Sequence, residues 1–465
     1  MKPERIFGRT GLPGKDGVLT LELEGMLNHI QESAAITCIN YISEMNEGDP
    51  LPEVAMATGV GKGNIVHRVI EKQIQSKPDS KIFVVAGTKL VLVEQTHDAL
   101  EGYRDTDFIE SEDDDDLVEE TIPVEDEYGD QPSVFYKTGD LNDETANVHV
   151  ATIQTLQSVL RRGVINPEEY DLLIVDEVHN IGTSKRMDTI NQFKKAIGFT
   201  ATPYRHSGRY KTPEQYGFRV VESLTLPEAQ NLQLLPPLMG IQIDTKELVD
   251  NIPTTNSGQI DYKQLEKILK KSGDLRPFIV DRVVPIISSE DRNYKTVVVV
   301  NYVWEAQELA KLFYKKGIKV GLAVNKRAAK TIHTDEIPAL DSIERYALSE
   351  SDNKSIQVLI SPYVASEGFD APFTEALVWA SPTDSPLRYT QYTGRLARRA
   401  EGKAFGIVVD CLYQTNKYRW SYNMGMWMKG DVVQLDSGLL WLGPEAEVRQ
   451  ISNLPQAQIL RTQPT

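Results

Sequence analysis

Residues 171–180 read Asp-Leu-Leu-Ile-Val-Asp-Glu-Val-His-Asn. Four apolar residues in a row, with no polar alternation, imply a strand buried on both faces, so a central strand of a parallel sheet. The run ends in two adjacent carboxylates, Asp176 and Glu177, with His179 two residues on. In open α/β sheets ligands bind at the C-terminal ends of strands. Taken alone, the stretch is either a strand leaving the core through an acidic turn or the floor of a site.

The surrounding chain decides what sheet this strand belongs to. Expected strands at 82–86, 148–150 and 196–200 alternate with segments of helical spacing, the signature of repeated β-α units. Residues 19–46 place Leu27, Ile30, Ala34, Ala35, Cys38 and Ile42 near one helical face. A less regular stretch rich in Pro, Asn and Gly runs from about 225 to 274 and contains one strand, 238–243. The alternation then restarts with strands at 296–300, 319–324, 356–360, 376–379 and 406–409. The chain is therefore two similar α/β units in series. The tail from 413 changes character: residues 431–442 read as a β-hairpin with a glycine turn at Asp436-Ser437-Gly438. The hairpin is open to two readings, a wedge at a duplex junction or a packing appendage on the second unit.

A length of 465 residues is enough for two to three domains. No apolar run reaches the roughly 18 residues that span a bilayer. The N-terminal residues lack the apolar core of a secretory signal. Cys38 and Cys411 lie far apart in apolar segments and read as buried thiols in a reducing compartment. The seven histidines show no metal-ligand spacing. The net charge of −17 is concentrated: residues 101–130 hold fifteen acidic side chains against one arginine, leaving 52 acids and 49 bases elsewhere. A near-neutral body can still present a basic groove to nucleic acid. The acidic block, about 105–130, is either a solvated insertion or a flap that mimics nucleic-acid charge.

Between an apolar run and a helix lies Ala57-Thr58-Gly59-Val60-Gly61-Lys62-Gly63-Asn64. Glycines let successive backbone N–H groups turn toward an anion, the lysine adds a point charge, and the helix N-terminus adds its dipole. Met56 stands where the full phosphate-loop pattern has its first glycine, and Gly63 stands where a Ser/Thr hydroxyl would hold Mg²⁺.

With these residues in this order, the chain resembles the superfamily 2 helicases over about residues 27–399. Gln31 is similar to the family's adenine-reading glutamine, and Gly59, Gly61 and Lys62 to its phosphate loop. Thr88, Gln95, Thr152 and Gln154 fall in the regions that grip nucleic acid. Asp176, Glu177 and His179 match the D-E-x-H motif, Thr200-Ala201-Thr202 the third motif, and Glu367, Gly368 and Asp370 the fifth. Gln391, Gly394, Arg395 and Arg398 form the sixth, Q-x-x-G-R-x-x-R. Pro362 departs from the fifth motif, which often has threonine there.

The resemblance implies two tandem RecA-like parallel-sheet domains, with the acidic insertion in the first and a small β-rich C-terminal appendage. The expected boundaries are 1–225, a connection over 226–275, 276–412 and 413–465. It implies ATP and Mg²⁺ as cofactors. The nucleotide would be held by Gln31, Thr58, Gly59, Val60, Gly61, Lys62, Gly63, Asn64, Gly368 and Asp370. Asp176 would hold the metal, Glu177 the attacking water, and Arg395 and Arg398 the transition-state charge. Gln391 and His179 complete the catalytic set. Thr88, Lys89, Gln95, Thr152 and Gln154 would line a groove for one DNA strand. The compact core most resembles a bacteriophage branch-migration helicase. Such a protein would be a monomeric motor on forked or branched DNA, with no membrane partner, in the cytoplasm (the host's, if the chain is viral). An RNA helicase and a nucleotide-gated clamp with weak hydrolysis are the alternatives.

Overall fold

A computed structural model describes residues 21–46, 48–86, 138–139, 145–180, 184–203, 205–206, 210–211, 213–256, 259–289, 292–349, 351–362, 371–413, 432–435, 438–442 and 458–460, with Val93, Thr96 and Leu100 as single positions. Thr88, Lys89, Gln95, Glu367, Gly368, Asp370 and the acidic block lie outside these residues.

Two sheets organise the chain. The first contains β1 (Leu51–Met56), β2 (Ile82–Ala86), β3 (Thr138–Gly139), β4 (Val148–Ala151), β5 (Leu172–Asp176), β6 (Ala196–Thr200) and, after a small antiparallel pair β7 (Arg205–His206) and β8 (Tyr210–Lys211), β9 (Phe218–Leu224). Its order is β3-β4-β2-β5-β6-β1-β9, and each adjacent pair is parallel. The strand that opened the sequence reading, β5, stands fourth of seven. Leu172, Leu173, Ile174 and Val175 are fully buried, as an unbroken apolar run requires. Each such side chain contributes about 1.5–3 kcal/mol relative to exposure. Because the strands are parallel, Met56, Ala86, Ala151, Asp176 and Thr200 all end on one edge of the sheet.

The second sheet contains β10 (Leu238–Asp244), β11 (Thr296–Val300), β12 (Val320–Leu322), β13 (Val358–Pro362), β14 (Ala376–Trp379) and β15 (Gly406–Leu412), followed by β16 (Val432–Leu435), β17 (Gly438–Leu442) and β18 (Gln458–Leu460). Its order is β12-β13-β11-β14-β15-β10-β17-β16-β18. Residues 238–243 are expected inside the connection. In the structure, β10 pairs in parallel with β15 from Leu238↔Gly406 to Asp244↔Leu412, so it is a strand of the second sheet. β16 and β17 pair antiparallel, and β17 extends the same sheet by pairing antiparallel with β10.

The helix Leu21–Glu44 lies on the first sheet and buries Ala34, Ala35, Cys38 and Ile42 against the helix Lys62–Ser76 and β1. Among the described residues no helix is long and apolar enough to cross a membrane.

Candidate active site

The phosphate-type loop leaves β1 at Met56 and enters the helix Lys62–Ser76. Ala57 N–H donates to Leu224 O at 2.8 Å, tying the start of the loop to β9. Gly61 caps the helix with φ 81, a left-handed conformation that a residue with a Cβ adopts only with strain. Behind the loop, Gln31 Nε2 donates to Val60 O at 2.9 Å, and Asn64 Nδ2 donates to Gln31 Oε1 at 3.4 Å. Gly63 is different. A Cβ placed there would meet nothing within 4 Å, so sterics do not demand a glycine.

The carboxylates stand at the end of β5. Burial pushes the Asp176 carboxyl up to about 6, and the neighbouring Glu177 charge adds to this. The Lys62 charge, the Glu177 N–H and His179 oppose the rise, which places the loop lysine in the field of the aspartate. Glu177 N–H donates to Asp176 Oδ1 at 2.9 Å. Glu177 itself has φ 51, the left-handed region, at a cost of about 1–2 kcal/mol for a residue with a side chain. Its Oε2 is buried with no hydrogen-bond partner and lies 3.3 Å from His179 Nδ1. A carboxylate oxygen that accepts no hydrogen bond from the protein, on a residue in the left-handed region, fits a role toward water or a cation. Among the described residues no cluster of three or more His, Cys, Asp or Glu could hold a metal by itself. One or two carboxylates completed by phosphate oxygens and water are the usual arrangement for Mg²⁺, and Asp176 with Glu177 fits it.

His179 connects this edge to the second sheet. It is buried, and its Nδ1 lies 2.7 Å from Thr200 Oγ1. Thr200 Oγ1 donates to Thr202 O at 3.2 Å and accepts from Thr202 N–H at 3.0 Å. With its proton committed, Thr200 accepts from His179, which puts the imidazole proton on Nδ1. His179 Nε2 is then an acceptor, and Gln391 Nε2 stands 3.0 Å from it. Gln391 comes from the helix Pro386–Leu396, on the far side of the interface between the sheets.

Close packing brings the same helix to the phosphate loop. A Cβ on Gly394 would stand 3.0 Å from Thr58 Oγ1, so only glycine allows the approach without displacement. Arg398 Cα lies 3.5 Å from where a Cβ on Gly59 would be. Arg395 and Arg398 are partly buried at and just beyond the end of this helix. Arg399 follows with Nε and Nη2 buried and unpartnered; burial draws its pKa down to about 10, opposed by the charge of Glu24.

The structure thus brings together Thr58, Gly59, Val60 and Gly61 on the loop, Lys62, Gly63 and Asn64 in the helix turn that follows, Gln31 behind them, Asp176, Glu177 and His179 beside them, and Gln391, Gly394, Arg395 and Arg398 across the interface. Thr152 stands apart. Its hydroxyl accepts from Thr155 N–H at 3.1 Å and caps the helix Ile153–Arg161, while Gln154 is exposed. The sequence marks Thr200, Thr202 and Gly394 as motif residues but does not show the relay from Thr200 and Thr202 to His179 or the approach of Gly394 to Thr58. The hydroxyls at the end of an apolar strand were the available signal for the first. Nothing local signals the second.

Residues 24–205 match the family described as type III restriction enzyme, res subunit. The chain is 24% identical over 259 residues, 52% of its own length, to a protein of Sulfolobus islandicus filamentous virus assigned as a helicase. It is 23% identical over 141 residues, 30% of its length, to a protein of Methanocaldococcus jannaschii assigned as an ATP-dependent RNA helicase. The matches span 42% and 17% of those relatives, so the chain covers less than half of either. Among solved structures, a fragment assigned as the HsdR subunit of a type I restriction enzyme from Vibrio vulnificus has the same fold, with a TM-score of 0.56 at 14% identity over 85% of this chain and 70% of that one. Residues 24–205 are thus similar to the type III restriction enzyme res-subunit family, and the chain has the fold of two tandem parallel-sheet α/β units seen in that HsdR fragment.

Proposed function

We propose that the chain is an ATP-driven DNA helicase or translocase that moves along one strand and unwinds or branch-migrates forked and branched DNA. The observation that carries the reading is the 3.0 Å contact between His179 Nε2 and Gln391 Nε2, which joins the carboxylate edge of the first sheet to the basic helix of the second. A nucleotide bound between them draws catalytic groups from both sides. Its binding and hydrolysis therefore couple to domain closure and release.

In this reading Lys62 and the N–H groups opening its helix hold the β- and γ-phosphates. Glu177, whose Oε2 lacks a partner, orients the attacking water and takes its proton. Arg395 and Arg398 balance the charge of the transition state, and Gln391 reports the state of the site through His179. Asp176 would hold magnesium, which would supply charge neutralisation at the γ-phosphate. Gly368 and Asp370 would complete the nucleotide site. Thr88, Lys89, Gln95, Thr152 and Gln154 would grip the strand through its phosphates without reading bases. A monomeric motor working in the cytoplasm on recombination, repair or replication intermediates, of phage-like type, is the finer form of the proposal. The res-subunit match favours DNA, since restriction acts on DNA.

DNA-stimulated phosphate release is the test. It is expected with the wild type and lost with Lys62→Ala or Glu177→Gln; full activity in either variant overturns the site assignment. Unwinding of forked DNA, four-way junctions and RNA duplexes, compared side by side, separates the DNA reading from an RNA helicase. A second reading, a nucleotide-gated clamp that barely hydrolyses, is favoured by Gly63, which offers no hydroxyl to the metal. Nucleic-acid binding that responds to ATP without turnover would establish it.

A further inference from the structure

Gln31 sits in the middle of the helix Leu21–Glu44 with 1% of its surface exposed. Both ends of its amide face protein. Nε2 donates to Val60 O at 2.9 Å, and Oε1 accepts from Asn64 Nδ2 at 3.4 Å. A Cβ on Gly61 would stand 2.6 Å from Gln31 Nε2, so the amide is wedged under the loop backbone. The neighbouring residue fixes that position. Glu32 pairs with Arg68 at 3.0 Å and with Lys72, both on the helix Lys62–Ser76 that continues from the loop. The glutamine helix and the loop helix are thus clamped together one residue from the amide.

An amide that selects a base must present its donor and acceptor together to that base's edge. The Gln31 amide is closed off from ligand and spent on the loop. By holding the Val60 carbonyl, it sets the peptide that leads into Gly61, whose φ of 81 starts the helix. The first N–H groups of that helix have no intrahelical acceptor and are left for phosphate.

We propose that Gln31 is a positioning residue for the phosphate loop and not a reader of the base, so the site takes purine nucleoside triphosphates with little preference for adenine. This rests on the ATPase reading above. Asn64 shares the task by holding the acceptor side of the amide.

Steady-state hydrolysis of ATP and GTP by the wild-type chain, with DNA present, tests the selectivity directly. A site that hydrogen-bonds a base edge rejects the wrong base by orders of magnitude, so kcat/KM values within about tenfold of each other support the proposal and a wider gap in favour of ATP overturns it. Gln31→Glu removes the donor to Val60 O while keeping size. It is expected to raise KM for ATP and GTP alike by about tenfold, the loss of one buried hydrogen bond, with a smaller change in kcat. A loss confined to ATP overturns the positioning role. So does a lowered Tm with both KM values unchanged, the result of a merely structural contact. A wild-type chain that hydrolyses neither nucleotide brings down the ATPase reading itself, an outcome visible in the absence of turnover and not in the ratio.

Discussion

Lys295 and Glu177 are both charged and both drawn into the protein at the edge of a sheet, and the fold treats them in opposite ways. Lys295 precedes β11 at the N-terminal edge of the second sheet. Four acceptors surround its ammonium: Tyr346 O at 3.0 Å, Leu348 O at 3.0 Å, Ser355 Oγ at 2.7 Å and Ile356 O at 2.8 Å. Glu177 follows β5 at the C-terminal edge of the first sheet, in a strained backbone conformation, with Oε2 buried and unpartnered. A buried charge with its hydrogen bonds made fixes a structure; a carboxylate oxygen with none, at a strand's C-terminal end, is placed where open α/β sheets meet ligands. The two edges differ in what they are built to do, and substitution at each is expected to fail differently.

The largest effect belongs to Glu177→Gln. The side chain keeps its shape and loses the ability to take a proton, so kcat for ATP is expected to fall by about a hundredfold or more. Thermal unfolding should show little loss of Tm, because the amide keeps the side chain's shape and Oε2 accepts no hydrogen bond. A destabilised variant with near-normal kcat would put Glu177 in the same class as Lys295. The reverse pattern is expected for Lys295→Met. It takes the ammonium from the Tyr346 and Ile356 carbonyls and leaves Leu348 O only the Ser355 hydroxyl, a cost of about 3 kcal/mol in urea unfolding, with KM for ATP unchanged. A variant of normal stability and altered KM would break the contrast.

Glu53 sharpens it, because it is an unsatisfied charge that lies inside the first sheet and not at its edge. It is fully buried in β1, where Oε2 accepts from Tyr216 Oη at 2.8 Å and Oε1 has no partner. Burial pushes its carboxyl up to about 7; the Tyr216 hydrogen bond opposes this and the Glu214 charge adds to it. A carboxyl whose folded pKa lies above its unfolded value near 4.5 holds its proton more tightly in the folded state. Its stability contribution is therefore full at low pH and falls as pH rises from about 4.5 to 7. Glu53→Gln, which cannot ionise, is expected to gain about 2 kcal/mol over the wild type at pH 8 and almost nothing at pH 5. Urea denaturation at the two pH values checks it; an equal change at both would mean the carboxyl does not titrate in this window.

What could be read beforehand follows from which contacts are local. β5 was legible because burial on both faces leaves an unbroken apolar run, and Gly61 because the left-handed start of its helix calls for glycine. The pairing of β10 with β15 was not: it joins Leu238 to Gly406, and nothing in either strand names its neighbour. The same holds for Gly394, whose need for a missing side chain is set by Thr58 in another domain. Glu53 follows a proline two residues into its strand and carries no sign that it is buried. The left-handed backbone of Glu177 is invisible to residue type, since glutamate rarely adopts it.

Gly63 carries the smallest expected effect and the sharpest use of the comparison. In the proposed ATPase, a Ser or Thr at position 63 would offer a hydroxyl to the metal held at the Asp176–Glu177 edge, and glycine offers none. No atom lies within 4 Å of a Cβ placed there, so Gly63→Ser fits without displacement. Replacing a glycine in the first turn of the helix Lys62–Ser76 should by itself add about 0.5 kcal/mol to stability. If the site is a motor tuned down by the missing ligand, Gly63→Ser also lowers the Mg²⁺ concentration for half-maximal ATPase activity by about three- to tenfold, the worth of one hydrogen-bond-scale interaction. A titration of activity against Mg²⁺ reads this apart from stability. A gain in Tm with an unchanged Mg²⁺ midpoint would show that Gly63 acts only on the helix, and that Asp176, water and phosphate already satisfy the metal.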